Sequence, residues 1–384
     1  MGGDLYADAR ASHGVSREVL DAELAKVLAE GAELERDAEA KLAELAPDLV
    51  AARRRNREER ARLEEAARPR FRVERLNERG VDLVTPPPSA PVLLTHGRAV
   101  PYMRSGIVAS LIAPGGTGKT FALCQLAASL ATGLPWLETY LPTRKGSVFL
   151  GLAEEDDDEV QRRLFGATKA LDAYQRSEVL RSVAAHGLMG QDVSFLRRTP
   201  DKNIGAAEWF GTLKNELART GPWRAIILDP WSRWGGVDAE TDAHAATYGV
   251  RLLEELTRLE GGPAVIVAHH TRKPSAGAKG PSDASDARGS SAFVDGGRFT
   301  MNLGRRGTGD LLSLRVTKTN GTVPGPELIL GRGEGGALRL ATPAEIAADD
   351  ERDERPRARR ASTGAAAPVP TPTAGAQGGR GAGW

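Results

Sequence analysis

The sequence predicts an α/β fold: a mostly parallel central sheet with helices on both faces, preceded by an N-terminal helical extension. Two observations carry this. Between residues 107 and 268, short apolar runs alternate with helical stretches, and each run has the length of a buried parallel strand. The first run, Ile107 to Ile112, opens into Ala113-Pro114-Gly115-Gly116-Thr117-Gly118-Lys119-Thr120, and a helical stretch from Phe121 to Leu130 follows. Strand, glycine loop, Gly-Lys-Thr and helix is the context of a phosphate-binding P-loop.

Residues Pro114, Gly115, Gly116, Thr117, Gly118, Lys119 and Thr120 are therefore the expected nucleotide-binding set. The glycines let the backbone turn tightly, so that its N–H groups point at phosphate oxygens. The helix N-terminus adds partial positive charge where the anion sits. Lys119 reaches toward the β- and γ-phosphates, and Thr120 offers a hydroxyl to Mg²⁺. Ala113 stands where the usual pattern has glycine; it ends the strand, where a methyl group is tolerated.

Composition limits the rest. A chain of 384 residues holds one large domain with extensions, or two domains. Lys and Arg number 52 against 51 Asp and Glu, so any basic surface must be local. The single cysteine, Cys124, excludes an internal disulfide and a cysteine metal cluster. No apolar run is long enough for a membrane span, and Met1-Gly2-Gly3-Asp4-Leu5 lacks a basic-then-apolar leader pattern. A cytoplasmic protein without membrane contact is expected.

Four segments follow from the patterning. Residues 1–70 read as one or two long helices, with Leu20, Leu24, Val27, Leu28, Leu34, Leu42, Leu45 and Leu49 at three- and four-residue steps. Gly31 and Ala38 weaken that stripe, Pro47 marks a break, and a charged stretch runs from Arg53 to Arg70. A solvated helix, an oligomerisation or partner-docking helix, and an arginine face for nucleic acid phosphates all fit. Residues 71–105 read as a connector stiffened by Pro86-Pro87-Pro88 and Pro91. Residues 106–345 form the main domain, and 346–384 a low-complexity tail expected to be disordered.

Within the main domain, Ser147–Leu152, Ala225–Leu228 and Ala264–Ala268 read as buried strands, with Val183–Met189 a shorter one. Glu159–Leu171, Ala206–Ala218 and Ala243–Leu259 read as helices. Strands at Arg298–Leu303, Leu311–Val316 and Glu327–Leu330 end the domain. The polar stretch 271–291 is long for a connection and is either functional or disordered.

In such a sheet the strand ends beside the P-loop hold the chemistry. Ala225–Leu228 ends in Asp229, a carboxylate placed to hold Mg²⁺, mostly through water. Trp231 and Trp234 follow, more suited to packing than to stacking on a base. Ser147–Leu152 is expected beside the P-loop strand, and Glu154 is the first acid after it, able to orient the attacking water. Asp156 to Glu159 suit a helix start. Ala264–Ala268 ends in His269-His270, polar groups able to contact a γ-phosphate.

Together these residues carry a family resemblance. Pro114–Thr120, Leu152-Ala153-Glu154-Glu155-Asp156, Leu228-Asp229-Pro230, His269-His270-Thr271-Arg272-Lys273, Arg288-Gly289-Ser290-Ser291 with Asp295 and Arg298, and Thr317-Lys318-Thr319-Asn320-Gly321 occur in that order. The chain resembles, over roughly residues 85–340, the RecA-fold P-loop ATPases of the RepA-type hexameric replicative helicases, an AAA-family group related to DnaB. The resemblance implies a RecA-like domain that uses ATP and Mg²⁺. It implies Glu154 as catalytic carboxylate, His270 as γ-phosphate sensor and Arg298 as an arginine finger reaching a neighbouring subunit's nucleotide. Lys318 matches the lysine of a Lys-x-Arg pair whose second position is here Asn320.

The leading expectation is a homo-oligomeric, hexameric ATPase that translocates on single-stranded DNA as a helicase in replication. Arg272, Lys273, Lys279 and Arg288 would hold the strand, or belong to an ordinary surface loop. The N-terminal helices are a candidate docking site for a protein partner. Two other classes fit the same residues: a RecA-like repair or recombination ATPase that does not unwind, and a nucleotide-switched interaction protein.

Overall fold

The computed structural model describes residues 73–352, apart from 98, 200, 202, 237–238, 240–241, 271–290 and 308. The expectations for residues 1–70, for Arg272, Lys273, Lys279 and Arg288, and for the tail beyond 352 lie outside the described residues. The chain divides into two compact units, Met1–Pro87 and Pro88–Trp384. In the first, residues 76–80 form a turn closed by Gly80 N donating to Asn77 O at 3.1 Å.

The second unit opens with β1 (Val92–His96) and β2 (Val100–Arg104), then β3 (Val108–Ala113), α1 (Lys119–Thr132) and β4 (Tyr140–Pro142). Next come β5 (Ser147–Leu152), α2 (Asp157–Ala167), α3 (Ala173–Ser182), β6 (Val183–Gly187), β7 (Leu196–Arg198) and β8 (Ile204–Ala206). The chain continues through α4 (Glu208–Thr220), β9 (Trp223–Asp229), the short turn of helix α5 (Trp231–Trp234), α6 (Ala243–Leu256) and β10 (Ala264–His270). It closes with α7 (Ser291–Gly296), β11 (Phe299–Arg305), β12 (Leu312–Thr319), β13 (Leu328–Arg332) and β14 (Leu338–Leu340).

Nine strands form the central sheet in the order β14-β13-β12-β11-β3-β10-β9-β5-β6. From β11 to β6 every pairing is parallel; β11 to β14 is an antiparallel meander. The expected mostly parallel sheet with flanking helices is present. One expectation about its order is corrected. The P-loop strand β3 lies between β10 and β11, and β10 and β9 separate it from β5. Ser147–Leu152 is therefore not beside the P-loop strand. All these strands are buried on both faces, so their apolar runs look alike and carry no ordering signal.

The faces of the sheet build two core layers. Leu111, Leu150, Ile227, Ile266 and Met301 pack with Leu123, Leu126 and Leu130 of α1. Ile226, Leu228, Val265 and Val267 point the other way, onto Phe210, Leu213 and Leu217 of α4, Leu252 and Leu253 of α6, and Trp231 and Trp234. Alternate residues of one apolar run thus serve opposite layers. β1, β2 and β4 make a separate three-stranded antiparallel sheet whose Leu93, Leu94, Tyr102 and Met103 are buried in the first layer. No described helix is long and apolar enough to cross a membrane.

Gly187 shows how tightly the acidic loop after β5 is seated. A Cβ there would stand 2.3 Å from the Asp156 carbonyl carbon and 2.5 Å from Asp157 N. Backbone cannot yield as a side chain does, so Gly187→Ala should destabilise the fold by about 1–3 kcal/mol. Gly211, on the exposed face of α4, has nothing within 4 Å of its Cβ position. Gly211→Ala should instead stabilise by up to about 1 kcal/mol. Urea melts of both variants check this pair.

Candidate active site

Parallel register brings the strand ends to one level. His270 lies opposite Ala113, Leu152 opposite Asp229, and Val267 opposite Leu228. The loop from Pro114 to Gly118 leaves β3 at this edge. Gly116 (φ 74°) and Gly118 (φ 93°) are both left-handed, a conformation strained for any residue with a Cβ. Thr117 Oγ1 donates to Pro114 O at 2.8 Å and closes the loop on itself. Gly118 caps α1 without a side-chain bond, so the first-turn N–H groups are left for an anion. Lys119, the first helical residue, is buried.

Thr120 Oγ1 donates to Asp229 Oδ2 at 2.6 Å. This bond joins the helix after the P-loop to the end of β9, across the intervening β10. A hydroxyl and a carboxylate are two hard oxygen donors at one point, which fits a Mg²⁺ that keeps several waters. Asp229 also fixes the acidic loop: its carbonyl accepts from Ala153 N at 2.8 Å. The loop that carries Glu154 is therefore anchored beside Asp229, although β5 is three strands from β3.

The two glutamates of that loop differ. Glu154 is half exposed, and its nearest cation among the described residues is Arg233, Nε to Oε1 at 3.8 Å. Glu155 is more enclosed and accepts from Arg163 Nη2 at 2.5 Å; Arg163 lies over the Phe121 ring, 5.6 Å from its centroid. Burial pushes the Glu155 carboxyl up, against the opposing pull of Arg163, and the Glu159 and Asp229 charges add to the rise. Asp156 caps α2 by accepting from Glu159 N at 2.7 Å, and Asp157, Asp158 and Glu159 fill its first turn, as expected of acids there.

The two histidines also divide. His269 is buried, with Nδ1 3.0 Å from the His270 carbonyl oxygen and its ring 5.3 Å from that of Phe293. His270 is only partly buried and stands at the P-loop edge. Trp231 and Trp234 are fully buried in the second core layer.

Arg298 and Lys318 sit at the other end of the sheet. Arg298 N donates to Val108 O at 2.9 Å, and Phe299 is in register with Ala109 and with Thr319. Ala109 is five residues before Pro114, about 16 Å along the strand at the usual rise. An arginine side chain does not span that distance, so Arg298 does not reach the P-loop of its own chain. Lys318 Nζ donates to Asp295 O at 2.6 Å, and burial lowers its pKa. Asn320, where the family pair has arginine, donates its N–H to Arg298 O at 3.0 Å. Its amide oxygen, in the orientation that satisfies both ends, accepts from Arg298 Nη1 at 3.3 Å. Arg298 thus brings a cation next to position 320 from the neighbouring strand.

One contact was not expected. Arg332, at the end of β13, donates from Nη2 to Gly116 O at 2.7 Å. No spacing signal marks a residue 216 positions from its partner.

A P-loop, a hydroxyl–carboxylate pair beside it, and acid and histidine at neighbouring strand ends define a P-loop nucleoside triphosphatase site. The family described as an AAA domain matches residues 67–276, more than half of the chain. The chain belongs to this AAA-domain family and carries an ATPase-type domain. Among solved structures it is similar to one described as an ATPase domain, at 13% sequence identity and a TM-score of 0.45, covering 63% of this chain and 88% of that one.

Asp229→Asn should keep the fold, since the amide can still accept from Thr120. It should collapse the difference between nucleotide affinity in Mg²⁺ and in EDTA, and lower hydrolysis by about 100-fold or more. Titration of a fluorescent ATP analogue in both buffers, with a phosphate-release assay, measures the two effects.

Proposed function

We propose that this protein is an ATP-hydrolysing, ring-forming motor, a hexameric helicase that translocates on single-stranded DNA in cytoplasmic DNA replication. The observation that supports it best is the separation of Arg298 and Lys318 from their own P-loop. Lys119 is the cation that the P-loop itself supplies, and phosphoryl transfer calls for a further one where charge develops on the transferred group. Head-to-tail packing of identical chains would bring the Arg298 end of one sheet to the P-loop end of the next, and repetition of that contact closes a ring.

Each residue then has a task. The N–H groups of the P-loop and Lys119 hold the β- and γ-phosphates. Mg²⁺, held by Thr120 and Asp229, supplies charge neutralisation when bound. Glu154 orients the attacking water; among the described residues its carboxylate is not committed to a short ion pair, whereas that of Glu155 is tied to Arg163. His270, at the P-loop edge of β10, responds to the γ-phosphate. Arg298 of the neighbouring subunit stabilises the charge that develops on the transferred phosphoryl group, with Lys318 beside it. Arg272, Lys273, Lys279 and Arg288 hold the DNA backbone, and the N-terminal helices take a protein partner.

Arg298→Ala should bind ATP normally and lose about 10³-fold or more in hydrolysis. Lys119→Ala should not bind. Mixing the two inactive variants should restore hydrolysis, because the second supplies an intact finger to the first; no recovery in a mixed assembly would rule out action in trans. Single-stranded DNA should stimulate the wild type, and a forked duplex should be unwound. Stimulation without unwinding would favour the repair and recombination reading, and absence of stimulation the nucleotide-switched interaction protein.

A further inference from the structure

The C-terminal hairpin brings a cation to the P-loop. Arg332 Nη2 donates to the Gly116 carbonyl at 2.7 Å, and Nη1 stands 3.2 Å from where a Cβ on Gly118 would be. The guanidinium therefore lies against both left-handed glycines of the loop. Several contacts hold the hairpin there. Gln125 of α1 donates from Nε2 to Leu338 O at 2.8 Å, and its Oε1 accepts from Leu338 N at 2.9 Å. Gly335 packs on Gly166, Gly336 packs on Phe121, and Lys169 pairs with Glu334.

The placement gathers positive charge that an anion would answer. The N-terminus of α1 is the positive end of its dipole, and Lys119 stands in the same turn. Arg332 adds another full charge. No carboxylate among the described residues pairs with it, whereas Arg339 of the same hairpin makes two bonds to Glu345, at 2.8 and 2.6 Å. The Arg332 side chain is exposed, and its contact with Gly116 uses one of five N–H donors. A planar fork of spare donors suits phosphate oxygens.

We propose that Arg332 binds the polyphosphate of the nucleotide in cis, from the C-terminal hairpin, as a cation distinct from Lys119 and from the arginine supplied by a neighbouring chain. This rests on the P-loop being a triphosphate site. One guanidinium N–H meets the Gly116 carbonyl, and the remaining N–H groups would meet phosphate oxygens of the nucleotide.

Calorimetric titration of the full chain with MgATP, and with tripolyphosphate as a probe without base or ribose, tests this. Arg332→Ala should weaken both ligands by about tenfold to a hundredfold, the range of a lost charge-assisted hydrogen bond. Arg332→Gln keeps a donor for the Gly116 carbonyl without the charge and should lose as much, while Arg332→Lys should retain part. Thermal melts establish that the variants are folded. Wild-type affinity in the glutamine variant would overturn the proposal, since the side chain would then only brace the loop. A loss for MgATP with none for tripolyphosphate would overturn it in favour of a base or ribose contact. If the wild type and Lys119→Ala are equally unable to bind either ligand, the P-loop reading itself fails and the proposal with it.

Discussion

The bond from Thr120 Oγ1 to Asp229 Oδ2, 2.6 Å long, is the contact on which the site depends. It spans the width of one strand, because β10 lies between the strands that carry the two residues. Every other feature of the site is placed with respect to it. The P-loop is fixed on one side through the start of α1. The acidic loop is fixed on the other, through the Asp229 carbonyl and Ala153 N–H. His270 ends the strand that passes between them. Parallel pairing makes this possible, since it brings four strand ends from distant parts of the chain to one edge.

Residues on that edge were legible in the sequence wherever a polar group directly ends an apolar run. Asp229 is such a case, and the P-loop announces itself through its glycines; the pair His269-His270 marks the end of β10 but not which of its rings is buried. Strand order was not legible. β3, β5, β9 and β10 are all buried on both faces, so no alternation distinguishes a central strand from a neighbour, and β5 was expected in a place that β10 and β11 fill. The three-residue strands β4, β7, β8 and β14 are too short to show a period. The helix α3 was missed because it offers so little to a core: Tyr174 and Leu180 are exposed on it, and Val179 is its one buried residue. Arg332 was invisible because its partner is a backbone carbonyl, which leaves no trace in residue type.

The sheet has two chemically different ends. The acids and the phosphate-binding loop gather where the parallel strands finish. At the start of β11 and the end of β12, Arg298, Lys318 and Asn320 form a cationic corner stitched by main-chain bonds. The antiparallel turn from β11 to β12 is what doubles the cation there, because it sets residues 298 and 320 side by side although twenty-one residues separate them in the chain.

The partners of β3 bear on where this domain can be divided. All six residues of β3 are buried, and β11 covers one of its edges from Ala109 to Ile112. The segment that the family shares ends at residue 276, before β11 begins. A fragment cut there would keep the P-loop, Asp229 and His270. It would also turn the most central strand of the molecule into an apolar edge with an open row of backbone donors and acceptors, an invitation to pair with another chain. A piece meant to stand alone therefore has to include β11, which carries no P-loop residue but covers the strand that presents them.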